Sequence, residues 1–427
     1  MKVRVGVAGL GTIGTGVVHL LQNNGSIITG KSKVALEVAA VADLDLERQR
    51  DIDLGGIKKY NDALDMAEDQ EIDVLVELVG GVDFPLKLVR KALENGKHVV
   101  TANKALIAKA GQEIYALAAE KGLALGIEAS VAGGIPIIKA IRESLAGNRV
   151  QEIRGIINGT SNYILTRMGE EGMSFESALA KAQELGFAEA ESSLDVNGGD
   201  AAHKIAILAA LAFNTPVDLS AVPVEGIESL ELQDIIYASE LGYIVKLIGI
   251  ARDRGELGVE ARVHPMLVPE TDQLAGIRNE FNAVFIRSDY LGDAMFTGRG
   301  AGAFPTASAV VGDLADIGVK MRDHVRIGPF FSSDEVRPFV AFGETVNKYY
   351  LRFHTVDEAG ILSQIAGTLG KRDISIASVI QKESAAEGGV PVVMITHEAR
   401  EADIREALKE IEAFPFIKGQ TVFMRAL

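Results

Sequence analysis

The stretch Gly186–Lys204, GFAEAESSLDVNGGDAAHK, gathers Glu189, Glu191, Asp195, Asp200 and a closing Lys204. From Asp200 onward the sequence DAAHKIAILAALAF is rich in Ala and Leu with an apolar stripe, which predicts a largely buried helix. Asp200 falls near the N-terminus of that helix, where the helix dipole favours a carboxylate. Lys204 stands one helical turn on, so both side chains leave the same face. A lysine beside a carboxylate, fed by an acidic loop, suits proton transfer. The same spacing also describes an ordinary surface ion pair, and such pairs are common and weak. Gly198 and Gly199, just before the helix, let backbone or ligand come close.

The elements that must position this pair begin at the N-terminus. Val3–Ala8 reads as an apolar strand and runs into Gly9-Leu10-Gly11-Thr12-Ile13-Gly14, followed by the helical Val17–Leu21. This is GxGxxG between strand and helix, the dinucleotide-binding context. Gly9 allows the tight turn, Gly11 lets a pyrophosphate approach the backbone, and Gly14 lets helix pack on strand. The next strand, Val34–Ala42, ends at Asp43, placed to take ribose hydroxyls or to cap a following helix. Asn23–Lys33 between them reads as an extra loop. Asp43 favours NAD over NADP, while Arg48 and Arg50 close behind suit a 2′-phosphate. Further strand and helix patterns alternate to Ala129, so a doubly wound parallel sheet is expected. At the carboxyl ends of its strands, where ligands bind, lie Gly80-Gly81 and Thr101-Ala102-Asn103-Lys104. Lys104 is thus a second catalytic or substrate-binding candidate, or a surface lysine opening a helix.

Glu128 opens EASVAGGIP, where a carboxylate and bared carbonyls suit a hard cation or a hinge between domains. From Val150 the pattern becomes mixed α+β, and Gly298–Gly302 precedes a helix over Thr306–Asp316. Residues 323–344 read as a linker. The last stretch, from Tyr349, has the order β-α-β-β-α-β of a separable ferredoxin-like module.

Composition narrows the function. At 427 residues, more than one domain is expected. A formal charge of −16 argues against a nucleic-acid or anionic-membrane binder. The absence of cysteine excludes disulfides, thiolate catalysis and zinc–thiolate sites. The N-terminus enters a strand without a leader-like run and no apolar stretch is long enough for a bilayer, so a cytoplasmic protein is expected.

Taken together, GLGTIG, TANK at 101–104, EASVAGGIP, NGTSNYI at 158–164, LDVNGGDAAHK and GRGAGAFPTASAV resemble monofunctional homoserine dehydrogenases, and DEAGILSQIAGTLGKRDISI resembles the opening of an ACT module. The resemblance implies an NAD(P)-binding Rossmann domain over 1–130 and a catalytic and dimerisation domain over 131–320. A linker over 321–347 would then return past the nucleotide domain to an ACT regulatory domain over 348–427. It implies NAD(P)-dependent interconversion of L-homoserine and L-aspartate 4-semialdehyde in threonine, methionine and isoleucine biosynthesis. Lys204 takes the place of the acid–base lysine and Asp200 that of its partner carboxylate. The resemblance further implies that Glu189 would bind substrate, with Asp195 a further contact, and that Lys104 would stand where cofactor and substrate meet. The expected cofactor set is Gly9, Gly11, Thr12, Ile13, Gly14, Asp43, Thr101, Lys104 and Gly302. A sodium-type cation would sit on Glu128 with the carbonyls of Val131, Gly133 and Ile135. Relatives often place an arginine before the acid ending the second strand. Here it is Ala42, which with Asp43 favours NAD. The acidic loop reads Ala190-Glu191-Ser192 rather than Ala-Asp-Pro, and Ala359 replaces the usual proline of the ACT turn. An ACT module implies a homodimer or homotetramer with L-threonine as effector. Rival readings are a cofactor-binding regulator whose dehydrogenase site has lapsed and a reductase of a related amino-acid semialdehyde.

Overall fold

The computed structural model of the chain describes residues 1–188, 192–325, 336–381 and 389–427. From the N-terminus the elements are β1 (Lys2–Ala8), α1 (Thr12–Ser32), β2 (Ala35–Ala42), β3 (Lys58–Tyr60), α2 (Ala63–Glu68), β4 (Val74–Glu77), α3 (Asp83–Glu94), β5 (His98–Thr101), α4 (Lys104–Lys121) and β6 (Leu125–Gly126). The central strands β1, β4 and β5 are short Val-rich runs that are mostly buried, as parallel strands covered by helices must be, whereas β2 is only partly buried and the edge strand β3 is largely exposed. They pair in parallel in the order β3-β2-β1-β4-β5-β6. The order reverses between β1 and β4, so a binding crevice opens at their carboxyl ends.

The chain continues through α5 (Ile137–Lys139), β7 (Val150–Ile156), α6 (Gly159–Glu171), α7 (Phe175–Glu184), α8 (Ser193–Val196), α9 (Gly199–Phe213), α10 (Leu232–Glu240), β8 (Tyr243–Asp253), β9 (Val259–Pro269), β10 (Phe281–Ser288), β11 (Gly292–Arg299) and α11 (Ala303–Arg322). It ends in β12 (Val346–Thr355), α12 (Ile361–Gly370), β13 (Ile376–Gln381), β14 (Val390–Thr396), β15 (Ala399–Arg400), α13 (Glu401–Glu412) and β16 (Val422–Ala426). No helix among the described residues is long and apolar enough to cross a membrane.

Two compact units result. The first holds Met1–Gly159, Asp200–Val222 and Phe281–Arg337. In it β10 pairs antiparallel with β7 and β11. α11 lays Ala307, Val310, Leu314 and Ile317 into the core formed by Val3, Val5 and Val7 of β1 and Val17, Val18 and Leu21 of α1. A Cβ on Gly16 would come within 3.0 Å of the Ala303 carbonyl, so this glycine sets how closely α1 and α11 approach.

The second unit holds Thr160–Gly199, Pro223–Glu280 and Pro338–Leu427. Its C-terminal portion has the expected β-α-β-β-α-β order, with neighbours β16-β12-β14-β13 and a core of Tyr349, Leu351, Phe353, Ile365, Val392 and Ile404. The module is joined to the rest of this unit by two kinds of contact. β16 pairs in parallel with β9 of the β8–β9 ribbon, and the buried Arg352 of β12 binds Asp234 of α10 through Nε and Nη2.

Several expectations need correction. Asn23–Lys33 is not an extra loop, because α1 runs on to Ser32 and stops where Lys33 turns left-handed (φ 59°). Ile28 packs on the core one heptad after Leu21, and that tertiary contact outweighs the poor helix propensity of Asn23, Asn24 and Gly25. The strand expected to Ala129 stops at Gly126, because Glu128–Ser130 folds into a 3-10 turn. Among the described residues no helix begins between Asp43 and Ala63, so Asp43 does not cap one. Strand β11 and helix α10 were not anticipated.

Candidate functional site

The core of the site is one carboxylate between two lysines. Asp200 lies in the first turn of α9 and is 2% exposed; Lys204 is 8% exposed. Lys204 Nζ donates to Asp200 Oδ2 at 2.6 Å and to the carbonyl of Ile157, at the end of β7, at 2.7 Å. The half-exposed Lys104 brings its Nζ within 2.7 Å of Asp200 Oδ1. Asn158 Nδ2 donates to Asp200 Oδ2 at 2.8 Å. Burial pushes the Asp200 carboxyl up, but the ammonium groups of Lys204 and Lys104 outweigh it and hold the group well below the usual carboxylate range. The pair is therefore a buried cluster rather than a surface i,i+4 bridge. The apolar sequence of α9 agrees with this burial, since most of the helix, including Asp200 and Lys204, is buried.

Lys104 is placed by its own strand and helix. Asn103 caps α4, its Oδ1 accepting from the Leu106 N–H at 3.0 Å while its Nδ2 donates to Gly81 O at 2.7 Å. Thr101 ends β5; its hydroxyl donates to Glu77 Oε2 at 2.6 Å and accepts from the Asn103 N–H at 2.9 Å. Glu77, fully buried at the end of β4, also accepts from the N–H of Val79 at 2.9 Å. Its burial pushes its carboxyl up against the pull of these hydrogen bonds. Glu77 was missed in the sequence; the signal was an acid inside the apolar run VLVELV. Asn158 was missed as well, although it opens the NGTSNYI motif.

The nucleotide turn fits a dinucleotide phosphate, judged by the space around its glycines. Gly9 has φ +91°, and a Cβ there would lie 2.5 Å from Leu78 O. A Cβ on Gly14 would lie 1.9 Å from Gly9 O. A Cβ on Gly11 meets nothing within 4 Å, so this glycine faces open space rather than packing. Gly11 caps α1 without a side-chain hydrogen bond, and the first turn, from Thr12 and Ile13, holds no acid. The leading N–H groups and the positive helix end are thus offered to an anion. Asp43 Oδ2 accepts from the Leu10 N–H at 2.5 Å, and Oδ1 accepts from Arg50 Nη2 at 3.1 Å. Arg50 Nε also donates to Leu10 O at 2.9 Å. Of the two arginines named beside Asp43, Arg50 is the one that reaches the turn.

EASVAGGIP and GRGAGAFP prove to be one piece of structure. Gly133 has φ +50° and no room for a Cβ against Gly300 O, and the Gly134 N–H donates to Arg299 O at 3.1 Å. Gly302, at φ +110°, caps α11. Glu128 is buried; Oε1 accepts from the Ile138 N–H at 2.8 Å and Oε2 from the Lys139 N–H at 2.9 Å, so it anchors α5. Its own N–H donates to the buried Asp313. Burial pushes the Glu128 carboxyl up, with those two N–H groups opposing. An anchored carboxylate of this kind is the wrong place for a hinge. Each of its oxygens keeps lone-pair capacity, which fits a cation ligand. Among the described residues no group of three or more His, Cys, Asp or Glu clusters as a metal site, so any cation here would depend on backbone carbonyls such as those of Val131, Gly133 and Ile135. Asp195 lies on α8, half-buried, with its carbonyl accepting from Ser161 Oγ at 2.8 Å. Glu189 lies outside the described residues.

Parallel sheet, glycine turn and buried lysine–carboxylate cluster define a nicotinamide-dependent oxidoreductase. Residues 136–315 match the homoserine dehydrogenase family, residues 9–128 its NAD binding domain, and residues 349–416 the ACT domain. A homoserine dehydrogenase of Pseudomonas aeruginosa is 44% identical over 99% of this chain and 98% of its own length. One from Bacillus subtilis is 39% identical over 96% and 94%. The crystal structure of a homoserine dehydrogenase from Thiobacillus denitrificans superposes with a TM-score of 0.94 at 41% identity, covering 100% of this chain and 98% of that one. A hyperthermophilic archaeal homoserine dehydrogenase in complex with NADPH covers 75% of this chain and 98% of its own, with a TM-score of 0.63 at 28% identity. The chain belongs to the homoserine dehydrogenase family.

Proposed function

We infer that the chain interconverts L-homoserine and L-aspartate 4-semialdehyde, and that Lys204 is its acid–base group. The observation that carries this reading is the buried Lys104–Asp200–Lys204 cluster. A nicotinamide cofactor held at the glycine turn would supply the hydride chemistry at the carbon that is aldehyde in one direction and alcohol in the other. The oxygen on that carbon becomes an alkoxide as hydride arrives, and a cation that can also release a proton stabilises it best. Lys204 Nζ serves that oxygen, donating its proton in reduction and taking one in oxidation. Asp200 stays ionised and holds the two ammonium groups at fixed positions, while Lys104 adds positive charge on the cofactor side. Glu189 and Asp195 bind the substrate ammonium. A lapsed-site regulator would have no need of two lysines pinned to one interior carboxylate.

The finer assignments are parts of the same reading. Gly9, Gly11, Thr12, Ile13 and Gly14 cradle the pyrophosphate, Asp43 takes the ribose, and Thr101, Lys104 and Gly302 line the nicotinamide end. NAD is the preferred cofactor. Glu128, with the carbonyls of Val131, Gly133 and Ile135, holds a monovalent cation of the sodium type. The ACT module binds L-threonine in a cytoplasmic homodimer or homotetramer. The direct test is the initial rate of homoserine oxidation with NAD and NADP in parallel, with and without threonine. Cofactor reduction that depends on homoserine and falls with threonine supports the reading. A folded protein inert with both cofactors overturns it.

A further inference from the structure

A buried arginine of the C-terminal module grips a segment outside that module. Arg425 on β16 is fully buried. Its Nε donates to Glu401 Oε2 on α13 at 2.9 Å, and its Nη1 and Nη2 donate to the two carboxylate oxygens of Glu225, the latter at 2.9 Å. Arg405 on α13 adds a donor to Glu225 at 3.1 Å. Glu225 lies between α9 and α10, on a segment laid along β9. Its N–H donates to Val263 O at 2.8 Å, and Val224 bridges to Val263 in parallel.

The same segment braces the turn after α8. The Ile227 N–H donates to Val196 O at 2.8 Å, and a Cβ on Gly226 would lie 2.4 Å from that oxygen. Gly198, at φ +84°, packs where a Cβ would come within 2.9 Å of Val224. This turn joins Asp195 to Gly199, where α9 begins.

We propose that the Arg425–Glu225 pair is a positioning device through which the C-terminal module fixes the Asp195-bearing turn. The proposal rests on the reading of Asp195 as a substrate-binding residue. The link is stiff for physical reasons. A guanidinium shared between two carboxylates is directional and charge-assisted. Arg425 is buried while Glu225 is partly exposed, so the coupling rests on the two-pronged geometry of the contact, through which a displacement of β16 carries Glu225 along. Gly226 then passes the shift to Val196 with no side chain between to absorb it.

Glu225→Gln tests this. It keeps the side chain's size and the backbone bonds, and it leaves Arg425 paired with Glu401. Hydrogen–deuterium exchange at the Ile227 amide reads the brace, and steady-state kinetics with homoserine and cofactor varied separately read the site. The expected result is faster exchange at Ile227 and a homoserine KM raised about tenfold, with the cofactor KM unchanged and partial recovery in Glu225→Asp. An unchanged homoserine KM in the folded variant overturns the proposal whatever the exchange shows, because a merely structural staple lowers stability alone. The exchange measurement needs no turnover. Should the unaltered chain fail to oxidise homoserine, the functional reading falls, and unchanged Ile227 exchange would then overturn the brace on its own.

Discussion

Lys104 and Lys204 share one carboxylate, their ammonium groups standing 2.7 Å from Asp200 Oδ1 and 2.6 Å from Asp200 Oδ2. One lysine opens a helix of the nucleotide-binding sheet and the other lies a turn inside α9. Two like charges this close are tolerated because the shared anion is buried between them, so charge balance and site geometry are the same feature.

Asp200→Asn should therefore damage both. Removing the anion leaves the buried Lys204 ammonium without its carboxylate and beside the half-exposed Lys104, and about 3–5 kcal/mol of stability is expected to be lost at neutral pH. The pH dependence has a definite sign. The folded-state pKa of Asp200 lies below its unfolded value of about 3.9, so its contribution is present above roughly pH 4 and is lost as pH falls toward the folded value. Denaturant unfolding of both chains across the acid range checks this. The gap between them should be widest near neutrality and shrink below about pH 4.

Gly11 and Gly14 should separate cofactor binding from folding. Gly14→Ala drives a Cβ into Gly9 O and should lower both stability and cofactor affinity. Gly11→Ala has open space on the protein side, so its melting temperature should stay within a degree or so while cofactor affinity falls about tenfold or more. Thermal melts with NADH titrations measure both quantities; equal behaviour of the two variants would contradict the assignment of Gly11 to the phosphates.

Arg50 should matter more to NADP than to NAD. Asp43 accepts from the Leu10 N–H with Arg50 as the cation beside it, and on the proposed reading its carboxylate repels a 2′-phosphate that Arg50 would attract. NAD should give the higher kcat/KM. Arg50→Ala should reduce NADP efficiency about tenfold, the scale of one charge-assisted hydrogen bond, with a smaller effect on NAD. Rates with both cofactors on both chains decide it.

Much of this was readable from residues alone. The glycine turn, the alternation up to Lys121 and the terminal β-α-β-β-α-β order carry local patterns of period and punctuation, and the structure has them. The Asp200–Lys204 spacing marked a pair, yet helix spacing cannot say whether a pair faces water. The arrival of Lys104 and Asn158, from distant parts of the chain, made it a buried site. Glu77 was hidden because its partner, the Thr101 hydroxyl, comes from the neighbouring strand. The length of α1 was misread because Ile28 is held by tertiary packing that outweighs local propensity. The joining of β16 to β9, a pairing across a long stretch of chain, leaves no local trace in the sequence of either strand.

The most direct test of the central claim is Lys204→Ala, assayed for homoserine oxidation beside a titration of NADH binding. Asp200 keeps Lys104 and Asn158 in this variant, so the fold should hold. Turnover is expected to fall by about a thousandfold or more, the range of a lost general acid–base and its charge, with NADH affinity unchanged. Turnover within about tenfold of the unaltered chain, in a protein that still binds NADH, would contradict the assignment of the proton to Lys204.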